Sequence, residues 1–72
     1  MSTPPYVRLA NDIAAQFHHL PADAGAAGVA GHLGNFWDPR MRRQLHAHVD
    51  AGAEGLDPLA VAAVARLRQP AT

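Results

Sequence analysis

The sequence predicts an all-α fold, a small bundle of three to four short helices that forms a single domain over residues 1–72. Apolar residues recur at steps of three and four, which is the period of a helix. No stretch alternates apolar and polar residues over the length of a strand, and β-branched residues are scarce. Two Asp-Pro pairs, at positions 38–39 and 57–58, carry residue types that start helices.

The first helix is predicted from about Pro4 to His19. Ser2 or Thr3 can cap it, and proline is tolerated in the first turn because the amide hydrogens there have no helical partner. Its apolar stripe consists of Tyr6, Leu9, Ala10, Ile13, Ala14, Phe17 and Leu20.

The second helix is predicted from near Asp23 to near Asn35. Its apolar stripe consists of Ala26, Val29, Ala30, Leu33 and then Phe36 or Trp37. Glycine recurs at every third position, at residues 25, 28, 31 and 34. Each interior glycine costs a helix about 1 kcal/mol relative to alanine. Two interpretations stay open: a smooth face against which another backbone packs, or a weak and partly irregular helix.

The third helix starts at the Asp38 cap with Pro39 at its first position. Its apolar stripe consists of Met41, Leu45, a half-buried His48 and Val49, and Gly52 is placed to end the helix in a left-handed turn.

The fourth helix starts at the Asp57 cap with Pro58 and runs to about Arg68. Leu56 and Val61 have the spacing of a hydrophobic staple. Arginines at 66 and 68 suit the negative end of the helix dipole, and Pro70 ends the helix. Its apolar rows consist of Leu59, Ala63 and Leu67, with Ala60 and Val64 beside them.

The predicted core is small. Large apolar residues are few and much of the 49% hydrophobic fraction is alanine, which buries little area. Small domains usually compensate with disulfides, metals or partners. The chain has no cysteine, which excludes disulfides, iron–sulfur ligation and thiolate zinc sites. A protein partner is the compensation that the composition leaves open.

The formal net charge is zero, with six basic and six acidic residues. This balance argues against nucleic-acid binding through phosphate neutralisation and against a polybasic membrane anchor. No run of about 18 apolar residues is present, so no membrane contact is expected. The first five residues lack the features of a secretory signal, so a cytoplasmic location is expected.

The five histidines do not have the spacing of a chelate. His18 and His19 are adjacent, and His46 and His48 are two apart, so on a helix each pair points to different faces. No metal ligand, catalytic residue or cofactor-binding residue is predicted, because no nucleophile stands beside a base and no phosphate loop is present.

One segment carries a resemblance to a known family. Residues 35–41 read Asn-Phe-Trp-Asp-Pro-Arg-Met, about 20 residues after Val-Arg-Leu-Ala-Asn-Asp-Ile-Ala at 7–14. Together with Ala-His-Val-Asp-Ala-Gly at 47–52 and Gly-Leu-Asp-Pro-Leu at 55–59, this resembles the delta subunit of cytosolic, molybdenum- or tungsten-dependent, NAD-linked formate dehydrogenases over roughly residues 6–67.

The resemblance implies a role and a set of partners. In such enzymes a catalytic (alpha) subunit carries the molybdopterin cofactor and iron–sulfur clusters and oxidises formate, and flavin- and iron–sulfur-bearing subunits pass electrons to NAD. The delta subunit is a companion without cofactors that is associated with assembly, activation or stability of the catalytic subunit. The chain is therefore expected to be a non-catalytic accessory subunit.

The partner-binding hypothesis places the contact on Phe36, Trp37, Arg40, Met41 and Arg43. Tryptophan and arginine dominate interface hot spots, and the arginines could dock onto carboxylates or touch a phosphate-bearing cofactor. The alternatives are that the tryptophan closes the core and that the arginines line a solvated helix face. Four further residues are expected to act as structural helix caps: Asp38, Pro39, Asp57 and Pro58.

Two other functions make different demands on the sequence. A free-standing helical regulatory or nucleic-acid-binding module would need a basic recognition helix, and only residues 40–43 offer one. A small histidine metal carrier would need chelating spacings that the sequence does not have.

Overall fold

Four helices follow one another along the chain in the computed structural model, which describes residues 3–68. They are α1 (Pro5–Ala15), α2 (Ala22–Phe36), α3 (Pro39–Asp50) and α4 (Pro58–Arg68). The described residues contain no strand, so the predicted all-α class is confirmed. The predicted Ser2 cap and the Pro70 terminator lie outside the described residues.

Helix α1 is shorter than predicted. It ends at Ala15, because the amides of Gln16 and Phe17 donate to carbonyls three residues back, 3.1 and 3.0 Å away, and so tighten the chain into turns. Its N-cap is Pro4 and no side chain caps it, so the prediction of a Thr3 cap is wrong.

The buried face of α1 also differs from the predicted stripe. Val7 is fully buried together with Ala10, Ile13 and Ala14, whereas Leu9 is 47% exposed. The predicted stripe was wide, and the neighbouring helices cover only one side of it, so Leu9 stays on the surface.

Helix α2 is continuous through all four glycines. A Cβ at Gly28 would lie 2.6 Å from Cδ1 of Phe17, and one at Gly25 would lie 3.1 Å from both Cδ atoms of Leu59. These two glycines therefore let the turn after α1 and the start of α4 lie against α2. A Cβ at Gly31 would meet nothing within 4 Å, so the fold of the isolated chain does not require glycine there.

Both predicted Asp-Pro helix starts are confirmed. The Asp38 carboxylate accepts a hydrogen bond from the Met41 amide at 2.9 Å, and Pro39 opens α3. The Asp57 carboxylate accepts one from the Leu59 amide at 2.8 Å, just where α4 begins.

Helix α3 ends as the sequence predicted, at a turn whose residues have positive backbone φ angles. Gly52 has φ +120° and Ala53 follows with φ +56°, so the chain reverses through two residues with positive φ. Ala53 donates its amide hydrogen to the His48 carbonyl at 2.9 Å, which satisfies an acceptor near the end of the helix.

All four helices contribute to the core, and α2 and α4 pack against each other more extensively than any other pair of helices. The largest fully buried side chains of the core are Leu33, Leu45, Val7, Val29 and Val64. Leu56, the first residue of the predicted staple, is buried, and Val61 packs against the same core.

A polar clamp joins α1 to the loop before α4. The side chain of Asn11 accepts a hydrogen bond from the Asp57 amide at 2.7 Å and donates one to the Gly55 carbonyl at 2.9 Å. Since both partners are backbone groups of one short loop, this single side chain sets where α4 starts relative to α1.

No helix among residues 3–68 combines the length and the apolar composition needed to cross a bilayer.

Candidate partner-binding surface

The corner between α2 and α3 places two neighbouring aromatic side chains on opposite sides of the chain. Phe36, the last residue of α2, is 75% exposed, whereas Trp37 is 8% exposed and belongs to the core. Trp37 adopts an extended conformation (φ −89°, ψ 138°) and its amide still donates to the Leu33 carbonyl at 3.2 Å. This change from helical to extended backbone turns the indole inward while the preceding phenyl ring points away from the core.

The exposed phenyl ring has one aromatic neighbour. The His32 ring, one helical turn earlier, lies with its centroid 4.8 Å from that of Phe36 and tilted by 39°. His32 is half-buried, so the pair forms an aromatic ridge at the end of α2 that leaves most of the phenylalanine accessible.

The three arginines of α3 have different surroundings. Arg42 is half-buried and donates to the Gly34 carbonyl at 3.4 Å, which places a positive charge at the negative end of α2. Arg40 and Arg43 are exposed, and neither forms an ion pair within residues 3–68. Arg40 and Arg43 are therefore available to a partner, whereas Arg42 supports the fold.

The five residues of the partner-binding hypothesis thus divide by burial. Phe36, Arg40 and Arg43 lie on the surface, and we call these three the Phe36 surface. Met41 is half-buried against the core, and Trp37 is within it. In the isolated chain Trp37 therefore closes the core, which is the alternative role given above for this residue.

The histidines lie in different parts of the fold, and His18 and His19 lie in the turn after α1 rather than on the predicted helix. His18 pairs with Asp57, with 2.6 Å between Nε2 and Oδ2. His48 is half-buried, as predicted, and its Nε2 lies 2.7 Å from the Glu54 carbonyl oxygen. Within residues 3–68 no group of three or more His, Asp or Glu side chains could hold a metal ion.

His46 has a distinct environment between α3 and α4. Its Nε2 is shielded from solvent and makes no hydrogen bond within the described residues. Burial and the positive charges of Arg68 and Arg42 lower the pKa of His46, and Asp50 partly opposes them. Arg68 donates to Asp50 at 2.6 Å across the two helices, which raises the pKa of that arginine.

The side-chain hydrogen bonds that sequence reasoning missed join distant positions. Asn11 and Asp57 are 46 residues apart and His18 and Asp57 are 39 apart. No periodicity or cap signal in the sequence connects them, because each pairing exists only once the helices have docked.

A comparison with protein families matches residues 6–64 to the family described as the NADH-dependent formate dehydrogenase delta subunit, FdsD. The chain belongs to this family. The match spans α1 to α3 and most of α4, so it includes the whole α2–α3 corner of this delta subunit. Neither the comparison with curated proteins nor that with solved structures gives a match.

Proposed function

We propose that this delta subunit is a non-catalytic, cytoplasmic accessory subunit of an NAD-dependent formate dehydrogenase. It binds the molybdopterin-containing catalytic subunit, supports its assembly, activation or stability, and meets the flavin and iron–sulfur subunits through it. Family membership supports the association with the enzyme. The observation that carries the binding role is the 75% exposure of Phe36, which precedes by four and seven residues two exposed arginines that form no ion pair within residues 3–68.

Assigning catalysis to other subunits follows from the chemistry of the reaction. Iron–sulfur clusters are held by cysteine thiolates, and these 72 residues contain no cysteine. Formate oxidation linked to NAD also relies on cofactors that carry the redox chemistry. This chain therefore acts by binding rather than by electron transfer.

The Phe36 surface has the chemistry of an interface hot spot. An aromatic ring buries a large area on binding with few rotamers to fix, and arginine adds bidentate hydrogen bonds to carboxylates. Arg40 and Arg43 follow Phe36 within seven residues, on the far side of a rigid corner capped by Asp38. The partner surface that fits them is an apolar pocket with acidic residues at its edge.

Trp37 contributes to this surface from beneath. Its burial, together with the Asp38 cap, holds the corner in the conformation that turns Phe36 outward. A Trp37→Ala change would remove a large core side chain, at about 3–5 kcal/mol. It therefore tests folding and binding together, and Phe36 is the cleaner probe.

The test is purification of the tagged chain from its native cells as wild type, Phe36→Ala and Leu9→Ala. Leu9 is the matched control, because it is also an exposed apolar residue but lies on α1. Recovered subunits are identified by mass, their stoichiometry and molybdenum or tungsten content are measured, and formate oxidation is assayed.

We expect wild type and Leu9→Ala to recover the catalytic subunit and Phe36→Ala to lose most of it. Truncation of a hot-spot aromatic costs about 2 kcal/mol or more, which is roughly a 30-fold loss of affinity. Equal recovery by all three variants would exclude the Phe36 surface, and the absence of formate dehydrogenase subunits from every purification would exclude the proposed function. Near-equal stoichiometry of the tagged chain and the catalytic subunit indicates a permanent subunit. When the purification is repeated from cells starved of the cofactor, recovery of the catalytic subunit only from those cells indicates an assembly factor.

A further inference from the structure

An apolar groove lies where the turn after α1 meets the first turns of α2 and α4, and it has a volume of about 570 Å³. Its lining comes from three elements: Phe17 and Leu20 of the turn and Leu59 and Ala62 of α4, which we call its two walls, and Ala26 of α2, which we call its base. Leu20 is 36% exposed and Ala62 is exposed, so the groove opens to solvent. None of these residues belongs to the Phe36 surface.

Hydrogen bonds hold both walls in place. His18 of the turn lies 2.6 Å from one carboxylate oxygen of Asp57, and the other oxygen accepts from the Leu59 amide at 2.8 Å. The Asp57 amide in turn donates to Asn11 at 2.7 Å. The turn is thereby fastened to the start of α4, and the groove is formed before anything binds in it.

The charges on the groove favour a cationic occupant. Its titratable lining groups are the carboxylates of Asp23 and Asp57 and the imidazole of His18. Asp57 already pairs with that imidazole, whereas Asp23 is exposed and has no ion-pair partner within residues 3–68. The negative charge therefore lies at the α2 edge, beside an apolar base.

We propose that this groove binds a segment of a partner protein that inserts one or two apolar side chains and places an arginine or lysine beside Asp23. Apolar burial supplies the affinity and the ion pair sets the orientation of the segment. The groove is then a second contact, of opposite charge to the Phe36 surface. It requires a protein partner but does not require that the partner be a formate dehydrogenase.

The test places a short photoreactive diazirine amino acid at position 62 of the full, tagged chain in its native cells. The matched control carries the same side chain at position 65. Ala65 is exposed on the same helix, three residues further on, but does not line the groove. After illumination, the crosslinked peptides are sequenced by mass spectrometry, and the experiment at position 62 is repeated with Asp23→Asn.

We expect adducts from position 62 and few from position 65, on a segment with large apolar residues and an arginine or lysine within one helical turn of them. Asp23→Asn should lower the yield about two- to five-fold, the range for one exposed ion pair. The proposal would be overturned if position 62 gave no adduct, if both positions gave equal adducts, or if Asp23→Asn left the yield unchanged. Adducts on an acidic or wholly polar segment, or on a second copy of this chain, would also overturn it. Adducts of the expected chemistry on a protein unrelated to formate dehydrogenase would support the groove, and the proposed function would still be decided by the purification with Phe36→Ala and Leu9→Ala.

Discussion

Two glycines of the same helix provide a matched measurement of how the turn after α1 packs on α2. In Gly31→Ala the new methyl group enters open space, because nothing lies within 4 Å of an added Cβ. In Gly28→Ala it meets the Phe17 ring, with Cδ1 2.6 Å away and Cε1 closer still. Both changes give the helix the same gain in propensity, about 1 kcal/mol.

The free energies of unfolding of the two variants should therefore diverge. Gly31→Ala should stabilise the chain by about 1 kcal/mol, which for a domain of this size raises Tm by roughly 4–8 °C. Overpacking at Gly28 costs about 1–3 kcal/mol, because the half-buried ring must move off α2. That variant should range from neutral to about 2 kcal/mol less stable than wild type.

The assay is urea unfolding followed by circular dichroism, with the slope m checked for constancy so that a change in midpoint reports stability. The difference between the two variants, about 1–3 kcal/mol, cancels the common propensity gain and isolates the contact with Phe17. If Gly28→Ala were as stabilising as Gly31→Ala, the reasoning that Phe17 lies directly on Gly28 would be refuted.

Three further changes test local features of the fold. Asp38→Ala should lower the free energy of unfolding by about 1 kcal/mol through loss of the α3 cap, whereas Asp38→Ser should keep most of the wild-type stability. Equal stability of wild type and both variants would contradict a capping role. Asn11→Ala should lower the free energy of unfolding by about 1–3 kcal/mol, because two backbone groups of the loop before α4 lose their hydrogen-bond partner. A decrease below about 0.5 kcal/mol would mean that water replaces the Asn11 side chain. His46 is a third probe. Folding lowers the pKa of His46 from its ordinary value of 6.5, so at pH values below 6.5 the unfolded chain binds more protons than the folded chain. The free energy of unfolding therefore falls as the pH drops from about the ordinary pKa to the lower pKa of the folded chain. His46→Gln should reduce this fall in unfolding titrations at pH 5 and 7, and a variant with the same pH dependence as wild type would contradict the assignment.

The helix starts could be read from the sequence because they depend on residues within one turn of each other. An aspartate followed by proline supplies both the acceptor for a free amide and the backbone angle of a first helical residue. Asp38 and Asp57 act in this way in the structure. The family resemblance was also available from sequence, because it rests on the string of residues 35–41 and not on any fold.

The ends and faces of α1 were less accessible to sequence reasoning. A stripe of apolar residues shows that one side of a helix is buried but does not set its width. Leu9 and Val7 lie at opposite edges of that side, and only the docking of the other helices decides that the valine is covered. The end of α1 at Ala15 likewise depends on Phe17 turning back against Gly28 of α2.

The candidate surfaces show the same division most clearly. Composition and motif were enough to indicate a small cysteine-free helical protein, to leave a protein partner open as its means of stabilisation, and to select the segment at 36–43. Only the tertiary structure decided that Phe36 faces solvent while Trp37 enters the core, because one extended residue at the helix end sets both directions. The groove between the turn after α1 and the start of α4 could not be foreseen at all. Its walls come from residues about 40 positions apart, and the His18–Asp57 pair that fastens them forms only after the helices have packed.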